Sequence, residues 1–240
     1  MERGNKEMNE IPHIIHYCWF GEKPLPEQYK KYVTTWKENF PGYKIVKWDE
    51  SNFPINQYEY AKEAMKAGKM AFVSDVARVH ALYKYGGIYF DTDVEVIKNF
   101  TTLLKGQKAV IGIEDEYRTI GTGFLAFTEK HPVCTEMLNY YKNNSFITQS
   151  ESMSNTQILA ALIKEKYNTE LANKMQKFDD LSIYPSCYFT AFNGFVGKSE
   201  PVAETCCIHH FSASWHSPIR KIKNEIKRNW HRILWKLGVK

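Results

Sequence analysis

The sequence predicts an α/β fold made of one domain with a helical tail. Three observations carry that expectation. An apolar, β-prone run from Ile11 to Phe20 is followed by a helical stretch and then by an alternating segment, the strand–helix–strand opening of an α/β sheet. A longer helical pattern closes at Gly86-Gly87 and leads straight into another β-prone run. No internal repeat or low-complexity segment interrupts the body.

The elements follow in order. Ile11 to Phe20 (IPHIIHYCWF) reads as a buried strand, ended by Gly21 and the loop Pro24 to Pro26. Glu27 to Asn39 is helical, with Tyr29, Tyr32, Val33 and Trp36 on one side, and Pro41-Gly42 breaks it. Tyr43 to Trp48 alternates as a second strand. Gln57 to Ala67 and Ala71 to Tyr85 are helices, and Ile88 to Ile97 (IYFDTDVEVI) is a strand. Lys108 to Ile113 and Gly123 to Phe127 are further strands, Pro132 to Lys142 and Thr156 to Lys166 helices. Ser182 to Phe189 and Thr205 to Phe211 are expected as late short strands.

Composition narrows the function classes. With 240 residues, 43% hydrophobic and 25% charged, the chain has an ordinary globular make-up, which excludes disordered and collagen-like types. It holds 15 Tyr, 14 Phe and 6 Trp, a content that suits stacking against planar or sugar-like ligands. No apolar run is long enough to span a bilayer, and the polar start lacks a signal core, so a cytoplasmic protein is expected. Five cysteines without a CxxC pair read as reduced thiols, not a zinc site. The net charge of +5 belongs to the end of the chain, where Ser217 to Lys240 holds eight Lys or Arg against Glu225 alone. Residues 1–216 are slightly acidic, so no groove-wide basic stripe for nucleic acid is implied.

Asp91-Thr92-Asp93 is the most informative spot. On a continuous strand Tyr89, Asp91, Asp93 and Glu95 would share one face, with the two carboxylates about 7 Å apart. Such oxygen ligands suit a hard divalent ion, Mg²⁺ or Mn²⁺, that keeps positions open for a diphosphate. A solvated edge strand with an acidic outer face is the competing reading. The preceding helix carries Asp75 and Arg78 at i,i+3, and the glycine pair turns the chain so that this helix packs beside the acidic strand.

The stretch Ala71 to Val94, AFVSDVARVHALYKYGGIYFDTDV, resembles the DxD-containing sugar-binding region of family 32 glycosyltransferases. IPHIIHYCWFG near the start and CIHHFSASW near the end resemble that family's first strand and closing motif. The resemblance implies a GT-A fold over residues 1–216 and a divalent metal, Mn²⁺ or Mg²⁺. It further implies a nucleotide-sugar donor and transfer with retention of anomeric configuration. Trp19 matches the aromatic that stacks on the nucleotide base. Asp75 and Arg78 match residues at the donor sugar and diphosphate, and Tyr89 a donor-contacting tyrosine. Asp91 and Asp93 match the metal- and ribose-contacting pair, with Asp93 the direct ligand. His209, His210, Ser214 and Trp215 match the closing motif. If Cys206 to Phe211 is a strand, its two histidines face opposite ways, and His209 is the favoured metal ligand. Gly121, Gly123 and Asn155 are further candidates for an approach to the sugar, and acceptor recognition is expected between Glu114 and Asn155.

The implied activity is sugar transfer from a UDP-sugar to a glycan acceptor of a bacterial capsular or other surface polysaccharide. A GDP-mannose donor and a nucleotide-sugar phosphohydrolase remain the alternatives. Residues 217–240 carry the last expectation. Ile219, Ile222, Ile226, Trp230, Ile233, Leu234 and Leu237 line one face of a helix whose other side is basic, the pattern of an interfacial helix. A peripheral position on the inner face of the plasma membrane, near a lipid-linked acceptor, would follow from it.

Overall fold

Residues 87–90, 109–113 and 120–127 are buried throughout, and their side chains, alternating between the two sheet faces, divide the interior into two layers. In the computed structural model, which describes residues 10–114, 119–146, 153–193 and 198–212, seven strands form one mixed sheet. Strands β1 (Ile14–Cys18) and β2 (Lys44–Trp48) are parallel, and β1 also pairs in parallel with β3 (Gly87–Phe90). β3 pairs antiparallel with β6 (Ile120–Phe127), which pairs antiparallel with β5 (Ala109–Ile113). The edge is completed by β8 (Ser182–Tyr184), parallel to β5, and β7 (Gln176–Lys177), giving the order β2-β1-β3-β6-β5-β8-β7.

Helix α1 (Glu27–Asn39) buries Tyr29, Val33 and Trp36, and the last two pack with Ile88, Phe90, Val110 and Phe124 on one sheet face. The other face is covered by α2 (Glu59–Lys66), α3 (Met70–Tyr85), α5 (Pro132–Asn143) and α6 (Asn155–Lys166) over Tyr89, Ile111, Leu125 and Phe127. The short helix α4 (Thr101–Leu104) lies between β4 (Val94–Val96) and β5. A helix α7 (Ser186–Phe189) follows β8, and two ribbons finish the chain: β9 (Phe192–Asn193) with β10 (Lys198–Ser199), and β4 with β11 (Cys207–His209).

The exit from α3 requires glycine twice. Gly86 (φ +59°) and Gly87 (φ +102°) lie in backbone regions that L side chains avoid, and a Cβ on Gly87 would sit 2.5 Å from Ile14 O. That close approach sets β3 against β1. Helix α6 begins with a capping box, Ser154 and Gln157 each satisfying the other's backbone N–H.

Three sequence expectations change. The strand foreseen over Ile88–Ile97 breaks at Asp91–Asp93: Asp91 N–H donates to Gly123 O (2.8 Å), and Val94 N–H donates back to Asp91 O (3.0 Å). β4 therefore leaves the main sheet to pair with β11, so Tyr89, Asp91, Asp93 and Glu95 do not lie along one continuous strand face. The helix foreseen from Gln57 starts instead at Glu59, after a 3-10 turn at Ile55–Gln57. The strand foreseen over Ser182–Phe189 stops at Tyr184, because Pro185 lacks an N–H and starts α7. The tail at 217–240 lies outside the described residues. Among those described, no helix is long and apolar enough to cross a membrane.

Candidate active site

The site gathers where strands end. β1 and β3 run parallel in a register that puts Ile15 beside Ile88 and His16 beside Tyr89, so Trp19 and the Asp91 turn follow the same edge of the sheet. The carboxyl edge of parallel strands is the usual ligand-binding rim of an open α/β sheet.

Arg78 organises the first half. It projects from α3 and is 5% exposed. One guanidinium nitrogen donates to Thr122 O (2.7 Å), and the other lies 3.0 Å from Asp75 Oδ1 and 3.3 Å from Asp91 Oδ1. Its plane covers the Tyr89 ring at 4.7 Å. Arg78, expected at the donor sugar and diphosphate, holds two carboxylates and a backbone carbonyl in the structure. Tyr89, also expected at the donor, is buried and donates its hydroxyl to Asp91 Oδ1 (2.8 Å). Asp75 accepts from Asn155 Nδ2 (2.7 Å), which also donates to Thr122 Oγ1 (2.9 Å). Burial pushes the Asp75 carboxyl up to about 6; Arg78 pulls against this and Asp91 adds to it.

The second half hangs on the β4–β11 ribbon. His209 Nε2 stands 3.2 Å from Asp93 Oδ1, and Ser212 N–H donates to Asp93 Oδ2 (2.7 Å). Burial disfavours charge on both partners. The His209–Asp93 pairing outweighs it, lifting the imidazole to about 8 and holding the carboxyl low, with Asp91 and Glu114 also raising His209. His210 turns the other way: its Nε2–H donates to Glu95 Oε2 (2.8 Å) and its ring stacks on Tyr32.

Asp91, Asp93 and His209 offer ligand atoms that all lie within 4.8 Å of one another, closer than a flat strand would place the two acids. Gly123 makes that convergence possible. A Cβ there would meet His209 Cε1 at 2.8 Å, His209 Nδ1 at 2.9 Å and Asp91 Oδ2 at 3.3 Å. Two carboxylates and an imidazole in an acid-rich pocket form a donor set for a divalent cation, and the residues present fit one.

Trp19 is half-buried; its Nε1–H donates to Lys23 O (2.7 Å) and its ring meets Tyr29 edge-on. Gly121 lies against Glu114, whose Oε2 is 3.6 Å from where a Cβ would be. Ser214 and Trp215 fall outside the described residues. The sequence did not reveal Thr122 O or the Ser212 N–H, which are backbone groups without a residue signature.

Known glycosyltransferases resemble this chain in sequence and in fold. The family described as glycosyltransferase sugar-binding region containing DXD motif matches residues 26–111, which span α1 through the Asp91 turn into β5. The chain is a glycosyltransferase with a DXD-type sugar-binding region. An uncharacterized glycosyltransferase, L373, of Acanthamoeba polyphaga mimivirus is 27% identical over 88% of this chain and 86% of its own length. Inositol phosphoceramide mannosyltransferase 1 of Schizosaccharomyces pombe is 27% identical over 52% of this chain, which spans 41% of that protein. Among solved structures, the PaToxG glycosyltransferase superposes with a TM-score of 0.53 at 19% identity, covering 68% of this chain and 75% of that one. This likeness concerns the fold, the GT-A arrangement that the sequence resemblance implied.

Proposed function

We propose that this glycosyltransferase moves a sugar from a UDP-sugar to a glycan acceptor, with retention and with a bound Mn²⁺ or Mg²⁺, in building a bacterial surface polysaccharide. One observation carries the reading: Asp91, Asp93 and His209 converge within 4.8 Å at the rim of the sheet. A divalent ion, when bound there, would supply Lewis-acid neutralisation of the charge on the leaving diphosphate. Asp93, Asp91 and His209 hold it. Asp75, backed by Arg78 and Asn155, faces the sugar hydroxyls as an acceptor of hydrogen bonds, and Trp19 stacks on the base. Ser214 and Trp215 close on the diphosphate. A mannosyl donor is the second reading, favoured by the match to a mannosyltransferase.

The domain plan proposed with it is a catalytic unit over 1–216 and a basic amphipathic helix over 217–240 that docks on an anionic membrane. Purified protein with Mn²⁺ and a panel of UDP- and GDP-sugars tests the chemistry through nucleoside diphosphate release. At least one UDP-sugar is expected to turn over, chelation to stop it and Mn²⁺ to restore it. Turnover that survives exhaustive metal removal would overturn the metal assignment, and turnover with GDP-mannose alone would select the second reading. Release of the sugar to water at the same rate with and without glycan acceptor would return the phosphohydrolase alternative. Co-sedimentation with anionic vesicles, lost in a chain ending at His216, tests the docking.

A further inference from the structure

His209 and the Ser212 N–H reach Asp93 from a segment whose middle residue faces elsewhere. His210 N–H donates to Asp93 O (3.0 Å), while its ring lies on Tyr32 with centroids 4.7 Å apart and planes 12° from parallel. Its Nε2 is 2.8 Å from Glu95 Oε2. Tyr32 belongs to α1 and Glu95 to β4, so one imidazole fastens the closing segment to two other elements. The stack continues from Tyr32 to Tyr29 (6.4 Å, 28°) and on to the edge of Trp19 (5.8 Å), ending at the tip of β1.

Two features separate this clamp from ordinary packing. The His210 and Glu95 side chains are 27% and 34% exposed, so they add little to the core, and the β4–β11 ladder is already made by Cys207, Ile208 and His209. Phe211, next in the chain, has φ +46°, a conformation that costs a non-glycine residue about 1–2 kcal/mol and persists only when its surroundings impose it. That turn lets the Phe211 ring lie on His209 (4.0 Å) while Ser212 N–H comes back to Asp93. The His209 backbone is held by its N–H to Thr190 O (3.0 Å), so relaxation of Phe211 would act on the His209 ring and on the Ser212 N–H, and the seat of His210 opposes it.

We propose that Tyr32 and Glu95 are positioning residues for the metal site: by seating His210 they keep His209 and the Ser212 N–H on Asp93. Metal affinity is thereby set in part from helix α1. The inference rests on Asp91, Asp93 and His209 being a divalent-metal site.

Mn²⁺ binding to the full chain without donor, read by titration calorimetry and by the paramagnetic signal of free Mn²⁺, tests it. Tyr32→Ala and Glu95→Ala are each expected to raise the Mn²⁺ Kd at least fivefold, with melting temperatures within a few degrees of wild type. Tyr32→Phe keeps the stacked face, and Glu95→Gln keeps an acceptor for His210 without the charge; both are expected within twofold of wild type. In a donor assay, excess Mn²⁺ should recover turnover in Tyr32→Ala. Unchanged Kd in both alanine variants would overturn the clamp and leave the metal site standing. A Glu95→Gln loss as large as that of Glu95→Ala would overturn it as well, by showing a charge effect. A wild-type chain that binds no Mn²⁺ would remove the metal reading itself.

Discussion

The two halves of the site are built from different material. Asp75, Arg78 and Asp91 are set by a 16-residue helix and by the hydrogen bond from Asp91 N–H to the eight-residue strand β6. Asp93, His209 and Ser212 depend on a ribbon of two three-residue strands and on the segment after it. Short strands with few partners open at lower free energy than central ones. The comparison teaches that one half is a fixed floor tied to global stability, whereas the other can be loosened without unfolding the protein.

The largest effect that would break this contrast is expected at Arg78. Arg78→Ala leaves Asp75 and Asp91 without their buried cation, a loss of about 3–5 kcal/mol. A melting temperature lowered by roughly 10 °C or more, together with lost activity, is the expected result. A stable, active Arg78→Ala protein would show that the floor is not held by this ion network. Next comes Asp93→Asn, nearly isosteric and on the looser half. Turnover should fall more than about a hundredfold while the melting temperature moves by only a few degrees, because an amide is a poor ligand for a hard cation. Equal damage to stability and activity would erase the distinction between the halves.

A smaller effect, still concentrated on the ribbon half, is expected from Gly123→Ala. Its methyl would enter the space held by the His209 ring, and a displaced ligand should weaken Mn²⁺ binding by about 10–100-fold. Unchanged binding, measured by calorimetry, would show that the imidazole moves aside at no cost.

The smallest effect is a pH slope belonging to the floor. Burial lowers His16 and His80 to about 4, and Lys44 and Lys84 lower them further; the His16 bond to Gly86 opposes this. In the unfolded chain both would titrate near 6.5. Stability from these neutral imidazoles is therefore complete above pH 6.5 and is lost as pH falls toward 4. Asp75, lifted to about 6 from 3.8, works the opposite way, gaining stability as pH falls through 6. His131, also lowered by burial, adds to the histidine side, so the net slope between pH 6 and 4 is a loss of stability as pH falls, on the order of 1 kcal/mol per unit or more. Denaturant melts across that range should show it, and Asp75→Asn, which removes the opposing contribution, should steepen it. A flat profile would mean that acid reaches none of these histidines.

What the sequence made legible depends on whether the cause is local. The end of α3 at Gly86-Gly87, the span of α1 and the alternating strand β2 follow from neighbouring residues, and the structure has them where expected within a residue or two. The break at Asp91–Asp93 was not legible, because its cause is Gly123 O and the pairing of β4 with β11, both distant along the chain. Asp75, Arg78, Asp91 and Asp93 stand out by type and spacing, whereas His209 enters through the resemblance to the family's closing motif. That Arg78 would be occupied by its neighbours instead of exposed to a ligand depends on Thr122 O, a carbonyl identical in every sequence. Gly123 was noticed as a possible approach to sugar, whereas the atoms its missing Cβ makes room for belong to the protein itself.

The order of the chain through the fold has a consequence during synthesis. The main sheet is complete at Tyr184, yet His209 and Ser212 are still to come. Domains generally begin to fold from the N-terminal side as they emerge from the ribosome. The nascent chain would therefore own a finished sheet and a pinned Asp75–Arg78–Asp91 floor before any imidazole arrives to complete the third corner of the cation site. The cation site would be completed only after the sheet that carries it.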